Sequence, residues 1–228
     1  MSEYLLINIF IIIVPLLLIF EQKLKFYKKL PAALISIFIV STVYIIWDSI
    51  AAKAGDWAFN PKYLIGVYFF DLPLEEILFF ITVPYSIIFI YETAKFYLKE
   101  SEIFFSRYIY FSIMILLIVG IILFVDQNYT LIVMIYCLAF IALTLLFFPA
   151  IFKSKIFWIT ILISYVPFLV VNYLLTSLPI VTYNLDAIWG NRFLTIPLED
   201  FFYSFSMISL WLLVYLIADK KLKWQRKE

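Results

Sequence analysis

The sequence predicts an all-α integral membrane protein: seven transmembrane helices, arranged as two parallel three-helix repeats joined by a linker helix. Three observations carry this. Of the 228 residues, 66% are hydrophobic and only 14% charged, about half the charge of an ordinary soluble domain. Seven apolar runs reach the length of a bilayer crossing. And the string Pro73-Leu74-Glu75-Glu76 returns as Pro197-Leu198-Glu199-Asp200, each copy opening an apolar run.

The runs lie near 3–20, 32–50, 73–92, 108–125, 129–148, 156–175 and 197–217, each close to the ~20 residues that a helix needs to span. The first has no basic region before it and no small-residue cleavage site after it, which predicts a retained helix rather than a signal peptide. Fourteen of the 17 basic residues fall in the connections 21–31, 93–107, 149–155 and the tail 218–228; only Lys53, Lys62 and Arg192 fall in the others. The positive-inside rule then places the N-terminus outside and the C-terminus in the cytoplasm, in a multi-pass protein of the cytoplasmic membrane. The two longer external loops, 51–72 and 176–196, are aromatic-rich (Trp57, Phe59, Tyr63; Tyr183, Trp189, Phe193) and run straight into the acidic motifs. Such loops form an interfacial belt or cover a site at the outer leaflet.

An offset of 124 residues joins the two motifs, and it also pairs Ile39 with Ile163, Asn60 with Asn184, Gly66 with Gly190, Phe69 with Phe193 and Tyr91 with Tyr215. It sets Asp48, at the outer end of the second helix, opposite Asn172 at the outer end of the sixth. Residues 1–92 are therefore expected to form one repeat, 93–124 a linker with the fourth helix, 125–217 a second repeat and 218–228 a basic cytoplasmic tail. Three helices, a linker and three helices leave the halves in one orientation, related by an axis along the membrane normal.

Composition excludes several functions. There is no histidine, the commonest general base and metal ligand. The single Cys137 forms no disulfide or thiolate metal site, and four scattered glycines make no dinucleotide or phosphate loop. A net charge of +1 speaks against nucleic acid. No metal is expected.

The acidic motifs remain. Carboxyl groups are expensive in a bilayer helix, by roughly 2.5–3.5 kcal/mol at its centre and less near its end. Proline suits the first helical turn, and the acids that follow meet free N–H groups and the helix dipole. Adjacent residues project about 100° apart, so one acid of each pair can face the bundle while the other turns aside. Two pairs brought together by pseudo-symmetry would hold carboxyls of unlike protonation, one to donate a proton and one to receive it. Phe79, Phe80 and Tyr203, about one turn further in, offer ring faces to a positive charge. Such a site suits a redox-neutral rearrangement of an apolar alkene, begun by protonation and ended by proton loss.

The stretch Asp71-Leu72-Pro73-Leu74-Glu75-Glu76-Ile77-Leu78-Phe79-Phe80, with Val83-Pro84 and Tyr91-Glu92 beyond it, and the stretch Ile196-Pro197-Leu198-Glu199-Asp200-Phe201-Phe202 resemble the lycopene cyclase domain of carotenoid biosynthesis. This is the small integral-membrane type, found as two short subunits, as one fused chain, or as a domain of bifunctional fungal enzymes. The resemblance covers nearly the whole chain in its fused form. It implies closure of the linear end groups of lycopene, or a related linear carotenoid, into β-ionone rings. It also implies an isomerase of the intramolecular-lyase kind working among membrane lipids, with no flavin or other cofactor expected. Carried over by position, Glu75, Glu76, Glu199 and Asp200 are the catalytic acids, with Glu75 and Glu199 expected to be the indispensable pair because they are identical between halves. Asp48 and Asn172 join Phe79, Phe80 and Tyr203 as candidate substrate- or cation-stabilising residues. The sequence leaves the oligomeric state open.

Two other readings predict different features. A parallel-repeat small-solute transporter needs a polar path at the midplane, where these helices are apolar. A non-catalytic carotenoid-binding membrane protein needs the apolar lining without the acids. A retinal receptor is excluded, since 197–217 holds no lysine for a Schiff base.

Overall fold

A computed structural model of the chain describes residues 2–225; Met1 and the end of the predicted basic tail, Arg226, Lys227 and Glu228, lie outside the described residues. Seven long helices make up most of it: α1 (Glu3–Leu17), α2 (Phe26–Ala54), α3 (Leu74–Tyr97), α4 (Arg107–Leu123), α5 (Asn128–Phe147), α6 (Lys155–Ser177) and α7 (Leu198–Gln225). Of these, α2, α3, α5, α6 and α7 are long and apolar enough to cross a membrane, while α1 and α4 are shorter apolar helices. The outside of the bundle is apolar as well. Phe10, Phe38, Leu116, Ile122, Leu146 and Leu162 are all exposed, a surface that suits lipid and not water.

Helix ends follow local chemistry. Ser2 caps α1 by accepting the Leu5 N–H at 3.2 Å, and α1 stops at Leu17, short of the expected residue 20, in turns held by Ile19 N–H to Leu16 O and Tyr27 N–H to Ile19 O. α2 begins as a 3₁₀ turn at Phe26–Lys29 and passes through a π-turn at Ile37–Ser41. That irregular turn is pinned from both sides. Ser41 Oγ donates to Phe80 O at 2.6 Å and accepts from Trp211 Nε1, and Ser36 Oγ donates to Trp211 O at 2.6 Å. α2 closes on Gly55 in the left-handed region, φ +83°, where a side chain would be strained. α7 runs eight residues past its expected end, because Asp219 bridges to Lys223 and Lys29 and keeps the polar last turns helical. Pro84 and Pro167 sit inside continuous helices α3 and α6.

The expected proline geometry is corrected in detail. Pro73 is the residue before the helix, extended at φ −64°, ψ 148°. It lies in strand β3 (Leu72–Pro73), which pairs with β2 (Tyr68–Phe69) in a tight hairpin whose two corner residues, Phe70 and Asp71, are both left-handed. The second half repeats the hairpin with β5 (Arg192–Phe193) and β6 (Ile196–Pro197). The hairpin uses the proline where no helical N–H is needed and delivers the next two residues to the first turn.

A third ribbon joins the external loops. Strands β1 (Trp57–Phe59) and β4 (Val181–Tyr183) pair antiparallel, Trp57 with Tyr183 and Phe59 with Val181. Residue 57 thus faces the counterpart of 59, and 59 the counterpart of 57. The flanking bonds reciprocate too: Asn60 N–H donates to Ile180 O at 2.9 Å and Asn184 N–H to Asp56 O at 2.8 Å. Such self-complementary pairing is what a two-fold relation between halves requires. Helix packing obeys it. α1 packs on α3 and α5 on α7 within the halves, whereas α2 packs on α7 and α6 on α3 across them. The halves interlock, with α4 set against α5.

Candidate active site

The two acidic motifs enter the bundle at equivalent corners, and in each corner the neighbouring acids part company. Glu75 Oε1 accepts Ser2 Oγ at 2.7 Å and the Ile65 N–H at 2.6 Å. Glu199 Oε1 accepts Thr130 Oγ1 at 2.7 Å and the Trp189 N–H. These two acids tie a loop and the first helix of their half to the helix start. Asn8 reinforces the first corner, its amide donating to Glu75 O at 3.0 Å and accepting from Thr82 Oγ1.

Glu76 and Asp200, one residue on and about 100° round, face inward. Both line a single cavity of about 330 Å³, within the size range of small-molecule sites. Tyr4 donates to Glu76 Oε2 at 2.5 Å, and Tyr129 to Asp200 Oδ1 at 2.6 Å. Asp200 takes a second donor on its other oxygen, Tyr183 at 3.0 Å. Burial and the Asp200 carboxyl beside it push the Tyr183 hydroxyl well above the usual tyrosine range, so it remains a donor.

Of the nine side chains put forward from sequence, seven line this cavity: Asp48, Glu76, Phe79, Phe80, Asn172, Asp200 and Tyr203. Glu75 and Glu199 do not, which moves the expected indispensable pair out of the cavity and into its support. The residue that matches between halves is the one that anchors the fold. The sequence alone does not single out Tyr4, Tyr129 and Tyr183 as carboxylate partners. A repeat signal did exist: Tyr4 and Tyr129 stand near the start of their helices, 125 residues apart, one off the offset of the motifs.

The cavity is a long slot. It follows α3 from Glu76 to Ile90, about 21 Å at the α-helical rise. Trp57, Phe59, Val181 and Tyr183 roof it, so the β1–β4 ribbon is a lid on the acidic end. Aromatic rings crowd there: Tyr129 stacks on Tyr183 at 5.7 Å and meets Trp57 edge-on at 5.1 Å and Tyr203 at 5.6 Å. Further along, the slot reaches the outside between α1 and α6, where Phe10, Val14 and Pro167 are lining residues and exposed ones. The carboxyl groups gather at the lidded end and the lining beyond is mostly apolar, with Ser86 and Ser164 among it, a shape for an apolar chain whose tip meets carboxyl groups.

Comparison with known proteins identifies a family. The family profile described as lycopene cyclase matches the chain twice, over residues 2–94 and 126–218. A bifunctional lycopene cyclase/phytoene synthase of Pyrenophora tritici-repentis (strain Pt-1C-BFP) is 39% identical over 67 residues, a match that takes in 29% of this chain and 11% of that protein. The chain therefore spans about a tenth of that relative's length. No solved structure matches.

Proposed function

The chain belongs to the lycopene cyclase family, and from that premise we propose that it closes the linear end groups of lycopene, or a related linear carotenoid, into β-ionone rings. One observation carries the reading: an apolar slot ends at two inward-facing carboxyls, Glu76 and Asp200, each held by a tyrosine under an aromatic lid. Protonating the terminal double bond gives a tertiary cation. The neighbouring double bond attacks it, closing the ring, and loss of a ring proton restores the alkene. The reaction is redox-neutral, and a carboxyl that donates and a carboxylate that accepts suffice for its proton balance. It is therefore expected to run without a cofactor. Rings of Trp57, Tyr129 and Tyr203 line the cavity beside the carboxyls, and aromatic rings stabilise positive charge that develops near their faces. Glu75 and Glu199 position the helix starts from which Glu76 and Asp200 project.

In this reading the helices cross the cytoplasmic membrane seven times, with the N-terminus and the lidded end outside, as the basic residues in the opposite connections favour. A lycopene molecule is about as long as the hydrocarbon core is thick, roughly 30 Å, and exceeds the slot. One end group then reaches the acids while the other lies toward lipid through the α1–α6 opening, and the two ends react in turn.

The test is to express the chain in a bacterium that accumulates lycopene and to separate the extracted pigments with their absorption spectra. One-ring carotene appearing before two-ring carotene is the expected course. Lycopene left unchanged by well-inserted protein would overturn the reading.

A further inference from the structure

We propose that Asp48 supplies the proton that starts the cyclisation, as a third carboxyl of the site that only the first half provides. The inference rests on the carotenoid-cyclase reading above and assigns the acid within it. Asp48 lies in the last turns of α2, is 4% exposed, and lines the same cavity as Glu76 and Asp200. Its Oδ2 is buried with no hydrogen-bond partner among the described residues.

That vacancy separates it from the other two acids. Asp200 accepts a phenol hydroxyl on each oxygen, which fits an acceptor-only carboxylate. Glu76 accepts one. A buried polar atom with nothing to pair with is costly, and native structures rarely keep one without a use. Glu75 and Glu199 also leave Oε2 buried and unpartnered, but each ties Oε1 to two donors and neither lines this cavity. Glu76 keeps one oxygen tied to Tyr4, whereas neither oxygen of Asp48 is matched to a hydrogen-bond donor among the described residues, and this carboxyl of the substrate cavity is the one placed to give its proton to an alkene. At the equivalent position of the second half stands Asn172, which carries no titratable proton and whose amide turns back to Phe168 O at 3.1 Å.

The step balances. The Asp48 O–H bond breaks as a C–H bond forms at the terminal alkene carbon, leaving a tertiary cation. The π pair of the neighbouring alkene forms the ring C–C bond. A C–H bond beside the new cation breaks, its electron pair becomes the ring double bond, and its proton goes to the Asp200 carboxylate. One proton has left Asp48 and one has reached Asp200, and its return across the cavity resets the site for the next end group. No electrons are gained or lost.

The experiment uses the purified full chain in liposomes with lycopene, comparing wild type, Asp48→Asn and Asp48→Glu for turnover and for lycopene retained per protein after gel filtration. Asn matches Asp in size, so the fold should hold, and Glu restores a carboxyl if it does not. Asp48→Asn is expected to lower kcat about 100-fold or more, within the range a general acid contributes, while lycopene retention changes little. Asp48→Glu is expected to recover a large part of the loss. Asp48→Asn turning over at close to the wild-type rate overturns the assignment. So does parallel loss of retention and turnover that Asp48→Glu fails to rescue, which marks a structural role. A wild-type chain that leaves lycopene untouched overturns the cyclase reading and this inference together. An active wild type with an active Asp48→Asn overturns Asp48 alone.

Discussion

Around Asp200 two tyrosines converge, and around Glu76 there is one. The reason lies 124 residues apart on the lid: Tyr183, which donates to Asp200, has Phe59 as its counterpart in the first half. Asp48 has Asn172 as its counterpart, Phe79 has Tyr203 and Phe80 has Ser204, and all of these line the cavity. The first half thus contributes one more acid to the cavity, and the second contributes three hydroxyls, of Tyr183, Tyr203 and Ser204, where the first has phenylalanines. Backbone features, by contrast, are kept in both. Gly66 and Gly190 have φ of +88° and +89°, Asn60 and Asn184 each accept the N–H two residues on, and Ile65 and Trp189 each cap the first glutamate of their motif. Duplication preserved what steers the chain into the helix and let the cavity face diverge.

The same contrast bears on where the slot opens. Between α1 and α6 the slot reaches the outside. Between α5 and α2, the equivalent place, Tyr44 packs on Tyr136 with centroids 4.3 Å apart and meets Tyr203 at 5.3 Å, filling the gap. Two similar halves therefore build one asymmetric site, and substitutions can either widen or erase that difference.

The largest effect is expected at the inward acids. Asp200→Asn, which removes the proton acceptor, should cut ring formation by about 100-fold or more at equal protein level, and Glu76→Gln, which removes the other inward carboxylate near the developing cation, should lower it as well, both measured by pigment chromatography. If only one of them lowers it, the halves are more unequal than the geometry makes them. Tyr183→Phe gives the Asp200 carboxyl the single phenol donor that Glu76 has; turnover should fall about ten-fold, and loss of a hydrogen bond to a charged group, roughly 1.5–3 kcal/mol, should lower the melting temperature as well. Unchanged turnover would mean that the second donor does not matter to the chemistry. Smallest in catalytic consequence per folded molecule are Glu75→Ala and Glu199→Ala. Each strands a hydroxyl and a backbone N–H, at about 1–3 kcal/mol for each buried group left unpaired, and both should lower the melting temperature in detergent by similar amounts. A loss at one corner alone would break the equivalence of the two anchors.

Much of the fold was legible in the chain. Hydrophobic runs, the repeated Pro-Leu-Glu string and the glycines at 66 and 190 are local signals, because helix length, helix entry and turn geometry are set by neighbouring residues. α7 overran its expected end for a reason that is also partly local, an i,i+4 pair between Asp219 and Lys223. The division of labour among the acids was not legible. Glu75 and Glu76 are adjacent, and sequence identity between halves singled out Glu75 and Glu199, which proved to be the anchors. Which of two neighbours faces the cavity depends on what stands about 100° round the helix, and here that is Tyr4, 72 residues from Glu76, and Ile65 on a folded-back loop. The roles of Phe59 and Tyr183 depend on a ribbon between two distant loops. The sequence by itself determined that carboxyls stand at the heads of two apolar helices. Only the tertiary structure decided which of them anchor the helix starts and which face the cavity, because hydrogen bonds between helices join residues that no local pattern connects.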